Sequence, residues 1–177
     1  IPIIKSNAYG HGFDVLATFC DTKSEIKKIG VVNLEEALRL QKLGIKKSAL
    51  VLSFFDIKKA GELSRGQLKD IALPIYDLKT ARELNHLAEK KGIKVKIHLK
   101  IDTGTSRIGF LPHEIVNKKN IKAFKSFKNL EIEGIYSHFA VSEQPSSYTQ
   151  KQIKIFKTVL ASLQQAGIDP PLKHFAC

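Results

Sequence analysis

A lysine near the start of the chain stands where a short apolar run gives way to the segment KSNAYGHG at residues 5–12. At the end of a buried strand, desolvation favours the neutral amine, and a neutral amine attacks an aldehyde to form an imine. Lys5 is therefore a candidate Schiff-base lysine. The hydroxyl of Tyr9, in the following glycine-rich turn, could face the same end of the sheet as the Lys5 amine. Spacing alone favours the simpler interpretation that Lys5 ends a strand and reaches solvent.

The segment KIDTGTSRIGF at residues 100–110 allows two kinds of site. The run DTGTS after an apolar strand has the form of an aspartic-protease loop, but such a site needs two carboxylates that share a proton, and the chain has one copy. The many helices predicted below also argue against an all-β protease. Arg107 fits better as an anchor for a carboxylate, which its planar guanidinium can bind through two hydrogen bonds. Lys100 and Asp102 belong to the same strand end.

A third candidate is His138, in the segment EGIYSHFA at residues 133–140. Its flat ring could stack on a flat cofactor, or it could be a hydrogen-bonded core histidine, and the sequence leaves both interpretations open. The remaining histidines show no metal-ligand spacing and the only cysteines are Cys20 and Cys177. The sequence therefore predicts neither a metal site nor a disulfide framework.

The elements that position these residues alternate between strands and helices. Short runs rich in Ile and Val predict six strands, at residues 1–4, 29–32, 49–52, 71–75, 95–101 and 131–136. Helices between them have readable N-caps at Asn33 and Asp77, and Asn33 with Glu36 forms a predicted capping box. Helices end in the repeated pattern of a glycine followed by isoleucine, which is typical of a Schellman cap.

This alternation predicts an α/β fold with parallel strands, and the polar candidates all follow strands at their carboxyl ends. Convergence of such ends is typical of the active site of a (β/α)8 TIM barrel. A barrel needs eight units and at least about 200 residues. We therefore expect an incomplete barrel, with about six βα units and the start of a seventh.

Composition limits the class of protein further. The chain of 177 residues is 43% hydrophobic and 26% charged, which is typical of a globular domain, and we expect one domain over residues 1–177. It has no apolar run long enough to span a bilayer, no signal peptide and few cysteines, so a cytoplasmic location fits best. The net charge of +12 raises nucleic-acid binding as a hypothesis, but the lysines are scattered and form no aromatic-interleaved patch. The absence of Met and the apolar start indicate a fragment.

Taken together, the three segments resemble the bacterial alanine racemases, pyridoxal 5′-phosphate enzymes of fold type III. That family carries, in order, a Lys-Ala-Asn-Ala-Tyr-Gly-His-Gly strand end, a Lys-x-Asp-Thr-Gly-Met-x-Arg-x-Gly segment, a Gly-x-x-(Ser/Thr)-His-Phe-Ala segment and a His-x-Ala-Asn-Ser segment. Counterparts of all four occur here in the same order, the last at residues 174–177. The resemblance covers essentially the whole chain.

The resemblance implies a role for each candidate residue. Lys5 would hold the cofactor as an imine, Tyr9 would contact its phosphate, His138 would stack near its pyridine ring and Arg107 would lie beside its phenolic oxygen and the substrate carboxylate. Leu52 matches a residue that lines the cofactor pocket. In a supporting role, Lys100 matches a lysine that is carbamylated in some members and would hold Arg107, and Asp102 shares its segment.

The resemblance also has departures and gaps. Ser6 replaces the usual alanine, Thr105 and Ser106 replace methionine and its neighbour, and Cys177 stands where the family usually has asparagine. The family's C-terminal β domain, whose tyrosine is the second catalytic base and works across a homodimer, would be absent. We therefore expect the parent protein to interconvert L- and D-alanine for peptidoglycan supply and this piece alone to be inactive. A racemase of another amino acid such as serine, and a non-catalytic single-barrel protein that binds the same cofactor, remain alternatives.

Overall fold

A computed structural model describes all 177 residues apart from the side chain of Ala176. It contains six strands, β1 (Lys28–Val31), β2 (Ser48–Val51), β3 (Ile71–Ile75), β4 (Val95–Lys100), β5 (Leu130–His138) and β6 (Leu172–Ala176). Its helical segments are α1 (Lys5–Tyr9), α2 (Phe13–Thr22), α3 (Leu34–Lys42), α4 (Ile57–Glu62), α5 (Arg65–Lys69), α6 (Leu78–Lys91), α7 (Pro112–Ile115), α8 (Lys118–Ser126) and α9 (Ser147–Gln165).

The strands occur in the sheet in the order in which they occur in the chain. Parallel pairing joins β1 with β2, β2 with β3, and β5 with β6, with Ile29 opposite Ala49 and Tyr136 opposite His174. All residues of β1 and β3 are buried, as expected for strands of a parallel sheet that is covered on both faces. Each strand is followed by at least one helix up to β6, which confirms the predicted α/β alternation.

The first predicted strand differs from the structure, whereas the last element agrees with the expectation. Residues 1–4 do not form a strand of their own; Ile3 makes one isolated parallel bridge to Gly30, and the Ile4 amide donates to the Gly30 carbonyl at 3.0 Å. The pairing stops there because the chain turns sharply after Lys5. At the other end, β6 carries His174 and is the start of the further unit that the sequence predicts, the seventh when residues 1–4 are counted as the first.

Helix starts largely follow the predicted caps. The Asn33 side chain accepts from the Glu36 amide at 2.9 Å, and the Asp77 side chain accepts from the Thr80 amide at 2.7 Å. The reciprocal half of the capping box was predicted wrongly. The Glu36 carboxylate accepts from the Val32 amide, one residue before the cap, instead of from the amide of Asn33.

Helix ends carry the predicted glycine caps. Gly44, Gly92 and Gly167 have φ of 73°, 60° and 76°, in the left-handed region that glycine adopts without a steric penalty. The isoleucine after each glycine donates its amide back to a carbonyl of the helix, for example Ile45 to Leu40 at 3.1 Å. This six-to-one hydrogen bond confirms the Schellman cap at all three helix ends.

The chain divides into two compact units, residues 1–74 with 87–96, and residues 75–86 with 97–177. The first unit carries Lys5, Tyr9 and Leu52, and the second carries Lys100, Asp102, Arg107 and His138. Within the part of the chain that the structure describes, none of the helices combines the length and apolar character needed to traverse a bilayer.

Candidate active site

The segment that begins at Lys5 is a left-handed helical turn. Ser6, Asn7, Ala8 and Tyr9 have φ between 53° and 54°, and none of them is glycine. L-residues disfavour this conformation by about 1–2 kcal/mol each and usually adopt it singly. Four in succession persist only where the surrounding structure holds them.

Hydrogen bonds hold this turn at several points. The Ala8 amide donates to the Ile4 carbonyl at 2.9 Å, and the Asn7 side chain accepts from the Phe13 amide at 2.9 Å, which joins the turn to the start of α2. Gly10 ends the turn with φ of 95° and donates to the Asn7 carbonyl. These hydrogen bonds fix the backbone that follows Lys5, so the turn is an ordered segment and not a loose loop.

Lys5 and Tyr9 lie together at this turn. The Lys5 side chain is half-buried, and its Nζ lies 5.8 Å from the centroid of the Tyr9 ring. Tyr9 is 63% exposed, so its hydroxyl is free of the core. Leu52 lies in the same unit directly after β2, half-buried, with its amide donating to the Val31 carbonyl at 2.9 Å.

Asp102 organises the loop that follows β4. Its carboxylate accepts from the backbone amides of Gly104 at 2.9 Å, Ser106 at 3.0 Å and Arg107 at 2.8 Å. Burial raises the pKa of this carboxyl, but the three amide donors outweigh burial, so its pKa lies below the ordinary value. The loop wraps around this carboxylate, and the backbone of Arg107 is fixed by it.

Two positively charged side chains, those of Lys100 and Arg107, act on Tyr136 of β5. Lys100 is only 6% exposed, and its Nζ lies 5.3 Å from the centroid of the Tyr136 ring. Burial raises the pKa of the Tyr136 hydroxyl, and the positive charge of Arg107 counters part of that rise. Arg107 itself is exposed at the loop surface, where its guanidinium is accessible to an anion.

His138 ends β5 half-buried, and its backbone is held by a buried amide side chain. Gln152 of α9 is fully buried and donates from Nε2 to the His138 carbonyl and to Thr103 Oγ1, both at 3.1 Å. Its Oε1 accepts from the Ala140 amide at 3.0 Å. Gln152 was missed from the sequence, because a helix face that is traced through apolar positions alone leaves out a glutamine. The signal that could have found it is its position about one helical turn before Phe156, on the buried side of α9.

A polar cluster of Glu133, His174 and the buried His98 was also missed from the sequence. His98 is 0% exposed; its Nε2 lies 3.0 Å from Glu133 Oε2 and its Nδ1 lies 2.9 Å from His174 Nε2. Because a carboxylate only accepts, His98 donates from Nε2, and a neutral ring then accepts at Nδ1 from His174. The His174 ring stacks on Tyr136 with centroids 4.9 Å apart. The only sequence signal was the period of two that puts His98 and Lys100 on one face of β4.

Among the residues that the structure describes, no cluster of three or more His, Cys, Asp or Glu side chains could hold a metal ion. The donors present are of another kind: an amine, a phenol and a guanidinium, which suit an aldehyde and anionic groups.

Comparison with known proteins gives these groups a context. The family model described as "Alanine racemase, N-terminal domain" matches residues 1–177. The chain belongs to the alanine racemase family. Alanine racemase 2 of Caldanaerobacter subterraneus subsp. tengcongensis is 37% identical over 175 residues, which cover 98% of this chain and 44% of that protein. The alanine racemase of Methanococcus maripaludis is 38% identical over 173 residues, which cover 97% of this chain and 45% of that protein.

Solved alanine racemase structures share the fold of this chain. The Clostridium difficile 630 alanine racemase in complex with cycloserine aligns with a TM-score of 0.87 at 29% identity, covering 98% of this chain and 47% of that one. The Bacillus anthracis enzyme with bound L-Ala-P aligns with a TM-score of 0.84 at 31% identity, covering 99% of this chain and 44% of that one. The fold is therefore that of the alanine racemase N-terminal α/β barrel, present in part, as predicted. The chain spans about half the length of the curated relatives it matches.

Alanine racemases are isomerases that depend on pyridoxal 5′-phosphate. The residues of this chain suit that cofactor in kind. Lys5 offers an amine on a rigid turn, with the Tyr9 ring 5.8 Å away, and Arg107 offers an exposed guanidinium. The individual roles of these residues are predictions.

Proposed function

We propose that this chain is the cofactor-binding part of an alanine racemase, which interconverts L- and D-alanine with Lys5 as the residue that carries pyridoxal 5′-phosphate. The observation that supports this proposal most directly is the half-buried Lys5 side chain, which stands at the start of a left-handed turn beside the Tyr9 ring. The family match over residues 1–177 supports the same conclusion.

The chemistry divides between the cofactor and the protein. The cofactor, when bound, withdraws electrons from the Cα of the amino acid and so makes its C–H bond acidic. Lys5 takes up and returns the Cα proton on one face, as a neutral amine does when it is held close to the reacting atom. Tyr9 would donate a hydrogen bond from its hydroxyl to the phosphate, and Leu52 would contribute to the apolar lining of the site.

The remaining candidates bind and position. Arg107 binds the substrate carboxylate through its guanidinium, which an exposed side chain on a fixed backbone can do. Asp102 supports Arg107 by holding the loop through its hydrogen bonds. Lys100 would support it from the end of β4, and His138 would lie against the cofactor ring. Racemisation needs a proton on the second face, which the family resemblance assigns to a tyrosine of a C-terminal β domain.

We further propose that the parent protein works as a homodimer in the cytoplasm and supplies D-alanine for peptidoglycan precursors. This chain by itself would then take up the cofactor without racemising alanine. No nucleic acid or membrane partner is part of this proposal.

The test uses the complete gene product that contains this chain. We expect it to take up pyridoxal phosphate with visible absorbance, to be labelled on Lys5 after borohydride reduction, and to convert L-alanine into D-alanine. Lys5→Ala removes the label and the absorbance because it removes the amine that carries the cofactor, whereas Lys42→Ala, at an exposed lysine at the end of α3, keeps both. Label on Lys5 without racemisation of any amino acid would favour the single-barrel carrier. Preferential turnover of serine would favour the other alternative, and no label at all would refute the proposal.

A further inference from the structure

Glu36 links two parts of the first unit that lie 30 residues apart in sequence. Its Oε1 accepts from the backbone amide of Ser6 at 2.9 Å, and its Oε2 accepts from the amide of Val32 at 2.8 Å. Glu36 itself lies in the first turn of α3, where its own amide donates to the Asn33 cap. Each carboxylate oxygen is therefore tied to a different segment.

The Ser6 amide is part of the peptide that directly follows Lys5. It is also the first amide of the left-handed turn, in which four non-glycine residues have positive φ. A strained backbone of this kind needs outside contacts to fix it, and a charged acceptor makes a stronger hydrogen bond to an amide than a neutral acceptor does. Glu36 supplies such an acceptor at the point where the turn begins.

We propose that Glu36 is a positioning residue, which holds the peptide after Lys5 through the Ser6 amide and so aims the Lys5 amine. The inference rests on the proposed role of Lys5 as the cofactor-carrying residue. Glu36 does not contact the reacting atoms; it acts through the backbone of the turn. A small error in the direction of a reacting amine slows its reaction strongly, because reactivity depends on the near-attack geometry.

Glu35 provides a matched control for this proposal. It lies beside Glu36 in the same first turn of α3, but it is exposed and forms a surface ion pair with Lys59 at 2.6 Å. Substituting either residue removes one negative charge near the helix N-terminus. Only substitutions at Glu36 change the acceptor of the Ser6 amide.

The experiment compares Glu36→Ala, Glu36→Gln, Glu35→Ala and Glu35→Gln in the complete gene product. The measured quantity is the rate at which pyridoxal phosphate becomes attached to Lys5, trapped with borohydride and located by mass spectrometry. We expect Glu36→Ala to slow attachment about tenfold. Glu36→Gln keeps one oxygen acceptor for two amide donors and is expected to slow it less, about threefold. Both Glu35 variants should stay within about twofold of wild type.

A second measurement reads the hydrogen bond without the cofactor. Exchange of the Ser6 amide with solvent, followed by NMR, should speed up in Glu36→Ala and remain slow in Glu35→Ala, while exchange of amides in β3 stays unchanged in both. If Glu36→Ala does not fold, Glu36→Gln, which is isosteric, gives the same comparison with a smaller effect.

The outcomes separate the two proposals. Attachment rates and Ser6 exchange that are equal in the Glu36 and Glu35 variants, with wild type loaded on Lys5, overturn this inference and leave the proposed function standing. A wild-type protein that carries no cofactor on Lys5 overturns the proposed function, and the positioning role of Glu36 falls with it.

Discussion

At the scale of single residues, Asp102 is the anchor with the clearest energetic consequence. Its Oδ1 accepts from Gly104 and Ser106, and its Oδ2 accepts from Arg107. We expect Asp102→Asn to lower the free energy of unfolding by about 1–3 kcal/mol, because the new amide group would face the Arg107 amide as donor against donor. Urea unfolding at neutral pH measures this change.

The effect of Asp102 should also depend on pH. Since the pKa of Asp102 is lower in the folded protein than its ordinary value, its stabilisation is complete above the unfolded pKa of about 4. It is lost as the pH falls through the lower folded pKa, so the gap between wild type and Asp102→Asn should close in acid. Asp56→Asn is the control, because Asp56 caps α4 and asparagine caps a helix equally well. Equal losses in the two variants would contradict the anchoring role.

Single-residue roles were predictable where the partner lies close in sequence. Asn33 and Asp77 were identified as N-caps because their partners are three residues away. The bond of Glu36 to Ser6 spans 30 residues and that of His98 to His174 spans 76, and no local pattern encodes such pairs. The grouping of Lys5 with Tyr9 was expected. The left-handed backbone that follows Lys5 was not, because serine, alanine and tyrosine disfavour it and asparagine usually adopts it only as a single residue.

At the scale of elements, the glycine caps make a direct prediction. Gly44 has φ of 73°, and a methyl group built there would meet no atom within 4 Å, so any cost of Gly44→Ala comes from the backbone alone. We expect a loss of about 1 kcal/mol in the free energy of unfolding.

Gly61 is the matched control for Gly44 because it lies inside α4, with only an ordinary contact of 3.7 Å between the added methyl and Leu87. Gly61→Ala should stabilise the protein by about 0.5–1 kcal/mol, since alanine favours the helix. Thermal unfolding of the two variants should therefore shift in opposite directions, and a shift in the same direction would argue against the cap.

Helices and strands were predictable where the spacing of apolar residues agrees with the cap and turn residues at the ends of the element. Five of the predicted strands occur close to their expected bounds because continuous apolar runs mark buried parallel strands. Residues 1–4 have the same composition but make only one bridge, since the tertiary requirement to turn after Lys5 ends the pairing. The buried face of α9 includes Gln152, which a count of apolar positions ignores.

At the scale of the whole molecule, net charge should affect cofactor uptake. A chain with a net charge of +12 attracts an anionic phosphate ester from a distance, and added salt screens this attraction. We expect the association rate of pyridoxal phosphate to fall several-fold between about 0.02 M and 0.5 M salt. Pyridoxal without the phosphate is the control and should show a much weaker dependence. Stopped-flow absorbance measures both rates, and equal salt dependence would contradict the electrostatic contribution.

The left-handed turn after Lys5 has a stereochemical consequence of its own. A mirror-image amino acid prefers the backbone angles that its natural counterpart avoids, so residues 6–9 have a backbone better suited to D-residues. Ser6 is exposed, and a semisynthetic protein with D-serine at that position would relax the turn instead of straining it. A chain whose relatives invert the handedness of alanine thus has the lysine that we propose to carry the cofactor directly before a stretch of inverted helical sense.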